Sequence, residues 1–214
     1  MSAPVDYPIS LAVEDFVPVL LTTGGVLLLA RRCPGPRIVV AAALIGAGGF
    51  AKATAKLIAA AGGPDLPWLR DMLFPLLTVG FALLYLSLTR DSAHRRLRGA
   101  AALTVVALCA VAAVLAGGPL PMLMSTTVFA TLTGIHLIGL ARRDGDRTAA
   151  VLIGSQLTAF FVLGPLGSRP DQTVVLQWAE QLCNTAAQAA FLVATRRLTA
   201  ARVDAPSESA QAHP

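Results

Sequence analysis

Apolar runs organise this chain. Seven stretches, about 14 to 30, 38 to 62, 67 to 89, 100 to 117, 120 to 141, 148 to 167 and 173 to 195, consist mostly of Ala, Leu, Val and Gly, with short segments rich in Arg, Asp, Pro and Gly between them. A bilayer core of roughly 30 Å takes about 20 such residues as a helix, and in hydrocarbon a helix satisfies its own backbone. The pattern predicts an all-α membrane protein of seven transmembrane helices forming a single domain over 1–198. The Ser, Pro, Ala and Glu of 199–214 have no apolar period and read as a disordered cytoplasmic tail. Pro18, Pro75 and Pro165 fall inside spans one, three and six and are expected to kink them.

Composition agrees with the pattern. Of 214 residues, 55% are hydrophobic and 14% charged, too apolar a balance for a soluble domain of this size. Charge then orients the spans. Arg31, Arg32 and Arg37 follow the first span, Arg90, Arg95, Arg96 and Arg98 the third, Arg142, Arg143 and Arg147 the fifth, and Arg196, Arg197 and Arg202 the seventh. The alternate loops hold Asp65, Arg70 and Asp71, then no charge over Gly117 to Pro121, then Arg169 and Asp171. The positive-inside rule therefore predicts an outside N-terminus and a cytoplasmic C-terminus. These arginines account for the net charge of +5 as topology determinants beside anionic headgroups, and no basic and aromatic surface is interleaved for nucleic acid. Asp6, Glu14 and Asp15 stand where a signal peptide carries basic residues, so the first span reads as retained. Abundant Ala, with Arg favoured over Lys, points to a GC-rich bacterial source and hence to the bacterial inner (plasma) membrane. Cys33, Cys109 and Cys183 have no metal or disulfide spacing and read as small hydrophobes.

The two ends of the chain echo each other. Pro18-Val-Leu-Leu-Thr22-Thr23 returns as Pro121-Met-Leu-Met-Ser-Thr126-Thr127, Leu29-Ala-Arg-Arg32 as Leu140-Ala-Arg-Arg143, and Ala41 to Gly46 as Ala149 to Gly154. Pro64-Asp65 and Pro170-Asp171, Trp68 and Trp178, and Phe81 and Phe191 continue the series in the same order. This colinearity predicts a parallel repeat of three spans, about 14–89 and 120–197, joined by a nearly featureless linker helix over 100–117. In this three-one-three architecture the chain resembles the SWEET and PQ-loop sugar transporters and, more distantly, the microbial rhodopsins. It lacks the Pro-Gln dipeptide of the former and the span-seven lysine of the latter.

The chemistry lies in a few ionisable residues. All 15 arginines lie outside the apolar cores, whereas the two lysines, Lys52 and Lys56, lie inside span two. A charge at a helix centre costs about 2.5 to 3.5 kcal/mol on insertion scales and is normally retained facing the bundle or water. Spacing of four puts both ammonium groups on one helix face with Gly48 and Ala60. Beside them, Ala43, Ala47, Ala51, Ala55 and Ala59 form a stripe suited to close helix packing. The one carboxylate well inside a span is Glu180, flanked on span seven by Gln177, Gln181, Asn184 and Gln188. Counted at 1.5 Å per residue from the outer ends, Lys56, Lys52 and Glu180 lie roughly 9, 15 and 12 Å deep, at one level. These six residues, Lys52, Lys56, Gln177, Glu180, Gln181 and Asn184, are the candidate solute or ion site. His136, Gln156 and Gln188, at similar depth nearer the cytoplasm, are the candidate proton relay. Against both stand plainer roles: snorkelling for Lys56, a structural clamp for Lys52 with Glu180, packing for His136, belt positions for Trp68 and Trp178, and helix capping for Glu14 and Asp15.

Two functional readings follow. In one, the chain is a small-solute or proton-coupled transporter, since a lysine exchanges its proton where an arginine does not. In the other, it is a receptor, sensor or accessory subunit that binds a lipid or protein partner in the same pocket. The sequence has no HExxH, nucleophile elbow or paired aspartates, so an enzyme is not expected. Few aromatics stand in mid-span, which argues against a Schiff-base chromophore on Lys52. No cofactor or metal is expected. The partners expected are the lipid bilayer, a small solute and a second copy of the chain in a homo-oligomer.

Overall fold

The computed structural model of the protein describes residues 8–90, 94–167 and 173–203. Among them the chain is helical, without strands: α1 (Ile9–Glu14), α2 (Phe16–Arg32), α3 (Pro36–Ala60), α4 (Pro67–Asp71), α5 (Leu73–Leu88), α6 (Arg95–Ala116), α7 (Leu120–Arg143), α8 (Arg147–Gly167) and α9 (Val174–Val203). α9 continues to Val203, so residues 199–203, expected in the tail, are helical. Residues 204–214 lie outside the described residues, as do Asp6, Arg169 and Asp171.

Among the described residues, five stretches are long and apolar enough to cross a membrane: Ile9–Arg32, Pro36–Ala60, Pro67–Leu88, Arg96–Ala116 and Leu120–Arg143. The chain is thus a multi-pass, all-α membrane protein. Of the two remaining predicted spans, α8 runs over 21 residues, Arg147–Gly167, and its described side chains, Arg147–Leu163, form an apolar helix, while α9 is diluted by its four carboxamides, Glu180 and its terminal arginines. A helix so polar depends on neighbouring helices to cover it.

Spans one and three are each broken near one end, and proline explains where. Pro18 and Pro75 have no N–H to bond the carbonyls of Glu14 and Asp71 four residues back, and their rings clash there. The helix accordingly stops at Glu14 and at Asp71, then resumes at Phe16 and Leu73. Pro165, in contrast, leaves α8 continuous. Gly117 closes α6 in the left-handed conformation, at φ 62°, which a residue with a Cβ adopts only at a cost.

Six helices close a ring in the order α2, α3, α5, α7, α8, α9 and back to α2. Successive helices reverse direction at each loop, so the neighbours are antiparallel except at α5 with α7 and α9 with α2. These two seams run parallel because α6 carries the chain back across before α7 begins. α6 itself packs at the periphery, with Ala102 against Ala82 and Phe129, while Leu103, Leu108, Val111, Val114 and Leu115 are exposed. Both parallel seams carry a polar contact. The Thr78 and Thr126 hydroxyls meet at 2.7 Å, and Thr78 also donates to the Met122 carbonyl at 3.0 Å. At the other seam, Thr22 Oγ1 lies 2.8 Å from Gln188 Oε1 and 2.7 Å from the Pro18 carbonyl.

The main core gathers at one end of the ring. Val26 and Leu29 of α2, Ile38 to Ile45 of α3, Leu84 and Leu88 of α5, Leu137 and Ala141 of α7, Ala149 to Ile153 of α8, and Phe191 to Leu198 of α9 form one cluster beside the arginine-rich loops. Buried Arg32 ties this end together. It pairs with Asp144 at 2.6 Å and donates to the Leu198 carbonyl at 2.7 Å, joining α2, α9 and the α7–α8 loop. Asp146 caps α8 by accepting from the Ala149 N–H at 2.9 Å, and it also pairs with Arg197 at 2.9 Å.

The stripe of α3 that packs differs from the one expected. Ala43, Ala47 and Ala59 are exposed, whereas Ala41, Ile45, Gly48, Ala51 and Ala55 are buried. The turn of the buried face follows α5, where the backbones come close: a Cβ on Gly48 would sit 3.0 Å from the Leu73 carbonyl oxygen, and one on Gly80 would sit 3.2 Å from that of Ala41.

Two outcomes follow for stability. Gly48→Val should force α3 from α5 and cost about 1 to 3 kcal/mol, while Gly154→Ala, with open space around it, should leave the thermal unfolding midpoint in detergent unchanged. The Ala149 N–H and then Arg197 hold the Asp146 carboxyl below its ordinary value of 3.8. Its contribution is therefore complete above that value and is lost as pH falls through the lowered one. The difference in unfolding midpoint between wild type and Asp146→Asn should shrink on acidification below 3.8, and Asp146→Ala should cost about 1 kcal/mol more through the lost cap.

Candidate functional site

Away from the arginine-rich end, polar groups stand close to the α1–α2 break. Asp15, the single residue between α1 and α2, pairs through Oδ2 with Lys56 Nζ at 2.7 Å, and its side chain is only 12% exposed. The adjacent Glu14 turns the other way, where its Oε1 accepts from Thr185 Oγ1 of α9 at 2.8 Å. Asp15 itself keeps right-handed helical dihedrals, and successive residues on such a backbone point about 100° apart, so the neighbouring carboxylates reach α3 on one side and α9 on the other. Leu11 and Ala12 of α1 are buried beneath them, and Phe16 and Phe50 meet with ring centroids 5.8 Å apart.

Neither acid caps α2 through its side chain, contrary to the role expected of them. The expectation failed because the first span was counted from residue 14. A preceding helix, Ile9–Glu14, leads into this point, so Glu14 and Asp15 lie at a junction between two helices and not at a free helix start.

Lys52 lies one turn before Lys56, on the line Ala41, Ile45, Gly48, Ala55 that forms the buried face of α3, and its side chain is partly buried. α2 packs against both α3 and α9, so it stands between the helix with the lysines and the helix with Glu180. The ion pair observed for Lys56 is accordingly with Asp15 on the intervening segment. Glu180 is partly buried on α9.

The carboxamides of α9 fall into two pairs. Gln188 reaches Thr22 of α2, as above, and its Nε2 lies 3.4 Å from Asn184 Oδ1. One and two turns further along, Gln177 Oε1 and Gln181 Nε2 are buried with no hydrogen-bond partner. A buried acceptor and a buried donor one turn apart each carry a desolvation penalty of about 1 to 3 kcal/mol when unmade. A hydroxyl or amide group presented to both would satisfy them together.

Packing around this stretch is loose on one side. No residue from Gly154 to Leu163 of α8, nor from Val174 to Ala186 of α9, is buried. Of the residues considered for a relay, His136 lies by the Leu88 backbone of α5, with Arg98 and Arg143 in its surroundings. Gln188 is engaged with α2, and Gln156 is partly buried on α8. His136 and Gln188 thus have their partners at different helix interfaces. Among the described residues, no group of three His, Cys, Asp or Glu side chains is placed to hold a metal ion. Set against known proteins, the chain matches no family model, no curated sequence and no solved structure.

The Lys56–Asp15 pair lies between an exposed ion pair, worth up to about 1 kcal/mol, and a buried one, whose disruption costs about 3 to 5. Lys56→Gln should therefore destabilise by about 2 kcal/mol, and the double variant Asp15→Asn/Lys56→Gln by less than the two single changes together. Strict additivity in a denaturation series would show that the pair is not coupled.

Proposed function

We propose that the protein is a seven-span carrier of the bacterial inner membrane for a small polar solute, coupled to proton movement through Lys52 or Glu180. In this reading its arginine-rich loops are cytoplasmic, and two parallel three-helix halves, α1 to α5 and α7 to α9, face each other across the linker α6. The observation that carries the proposal is an asymmetry along the ring axis. The apolar core closes the end beside the arginine-rich loops, while the other half holds Lys52, Lys56, Asp15 and Glu180 together with unpartnered Gln177 and Gln181. A polar half sealed at one end is what a carrier needs when its site faces one side of the membrane.

Support for the two halves comes from the ring itself. Its contacts follow α2–α3–α5 and then α7–α8–α9 in the same order, and like helices meet at both seams. Thr22 and Thr126 each open the Thr-Thr pair of the echoed segments, one residue further from the proline in the second, and Thr78 and Gln188 stand equally far beyond Trp68 and Trp178. The contact between Thr78 and Thr126 at one seam therefore has its counterpart between Gln188 and Thr22 at the other. Rocking of one half against the other about these seams would open the closed end. A change of protonation at Lys52 or Glu180, which alters the charge of the polar half, would bias that motion.

For the second reading, a receptor or accessory subunit binding a lipid or protein partner, the described residues outside the long helices offer only short turns. The turn between α6 and α7, Gly117–Pro119, carries no charge.

Uptake into proteoliposomes tests the carrier. With a panel of small polar solutes and an imposed proton gradient, the wild type should accumulate at least one of them, and Lys52→Gln and Glu180→Gln should each reduce its uptake at least about ten-fold, the loss of about 1.4 kcal/mol of selective stabilisation. Unchanged uptake in both variants, or a wild type that carries nothing, would reject the proposal.

A further inference from the structure

A cavity of about 250 Å³ opens at the arginine-rich end, where the α2–α3 turn meets the end of α5; Cys33, Gly35, Arg37, Ser87 and Arg90 are among its walls. Among the described residues, no carboxylate lines it. Neither Arg37 nor Arg90 is in an ion pair among the described residues. The Arg90 guanidinium bends over the turn, with Nη1 3.9 Å from a Cβ placed on Gly35. Two guanidinium groups around an uncompensated hollow set up a positive potential, and their planar donors suit tetrahedral oxyanions.

The other half of the protein has the corresponding place filled. α8, like α3, starts at this end after a short turn, and its first turn is capped by the Asp146 carboxylate, which is also bonded to Arg197 of α9. α3 begins after Gly35 with no side-chain cap, and Pro36 is its first residue. Ser87 stands as far beyond Phe81 as Arg197 stands beyond Phe191. Where α8 has an aspartate and an arginine in contact, α3 has a glycine and a serine, and the space they leave is the cavity. Among the described residues, the anion that one half provides from its own chain has no counterpart in the other, while the cations are present.

We propose that this cavity binds a phosphate group, carried either by an anionic phospholipid in the adjoining leaflet or by a soluble phosphate compound. The oxyanion sits between Arg37 and Arg90, at the position where Asp146 serves α8, and the start of α3 adds its unbonded N–H groups. The site lies at the opposite end from the polar half discussed above and does not depend on the carrier reading.

Cys33, in the cavity wall, reports occupancy directly. The full chain carrying Cys109→Ala and Cys183→Ala is reconstituted in phosphatidylcholine vesicles, and alkylation of Cys33 by a neutral maleimide is timed. If the ligand is a lipid headgroup, including phosphatidylglycerol should slow alkylation about ten-fold, as expected for a ligand at about ten times its Kd, and adding glycerol 3-phosphate to phosphatidylcholine vesicles should not. If the ligand is a soluble phosphate compound, glycerol 3-phosphate should give the protection without phosphatidylglycerol. Arg37→Gln/Arg90→Gln should abolish protection in either case, and the single Arg90→Gln should weaken it if the double variant does not insert. Equal alkylation rates under all conditions would overturn the proposal, as would protection that persists in the arginine variants, since that would come from the bilayer's surface charge alone.

Discussion

Apolar helices in a bilayer gain little by leaving lipid for one another, because lipid tails are as apolar as Leu. Association has to come from close packing and from polar groups that lipid cannot satisfy, and every feature of this ring depends on that constraint. α3 and α5 approach backbone to backbone at Gly48 and Gly80, which maximises dispersion contacts where no side chain intervenes. At the arginine-rich end, small residues such as Ala41, Ala141, Ala149 and Ala194 interleave with Leu29, Leu84, Ile153 and Leu198. Arg32 fastens that end with an ion pair and a hydrogen bond to a backbone carbonyl.

Cross-helix hydrogen bonds in membranes average only about 0.6 kcal/mol, so the hydroxyl contacts at the two parallel seams cannot hold the ring by themselves. Their effect is on register. Thr78 with Thr126, and Thr22 with Gln188, fix how far α7 and α2 slide along α5 and α9, and packing supplies most of the attraction. Where packing is looser, along the far halves of α8 and α9, Gln177 and Gln181 of α9 keep buried polar atoms with unmet bonds. The same constraint that draws the arginine-rich end together therefore leaves a polar stretch with unmet hydrogen bonds at the other.

The polar groups near α1 show how a local event sets a distant contact. Pro18 leaves the Glu14 carbonyl without its helical N–H donor, the helix is interrupted at Asp15, and the two carboxylates there contact α9 and α3. The proline was visible in the sequence as a kink. Its consequence was not, because a kink specifies where direction changes and leaves the new partners undetermined. Counting the span from residue 14 also hid the carboxylates at its edge, since nothing in the apolar pattern marks Ile9 as the first helical residue.

The sequence by itself determined what depends on local composition. The approximate positions of the helices, their membrane character, the quiet fourth span and the unusual polarity of α9 follow from residue types and their spacing, because each helix must satisfy its own backbone, whereas of three mid-span prolines only Pro18 and Pro75 interrupt their helices. Only the tertiary structure decided what depends on which helices are neighbours. It put α2 between α3 and α9, gave Lys56 the partner Asp15, shifted the packed stripe of α3 from Ala43 and Ala47 to Ala41, Ile45 and Gly48, and left a hollow between Arg37 and Arg90. Periodicity assigns each residue a face on its own helix. The helix that lies opposite that face is set by the packing of the whole ring, which no single segment encodes.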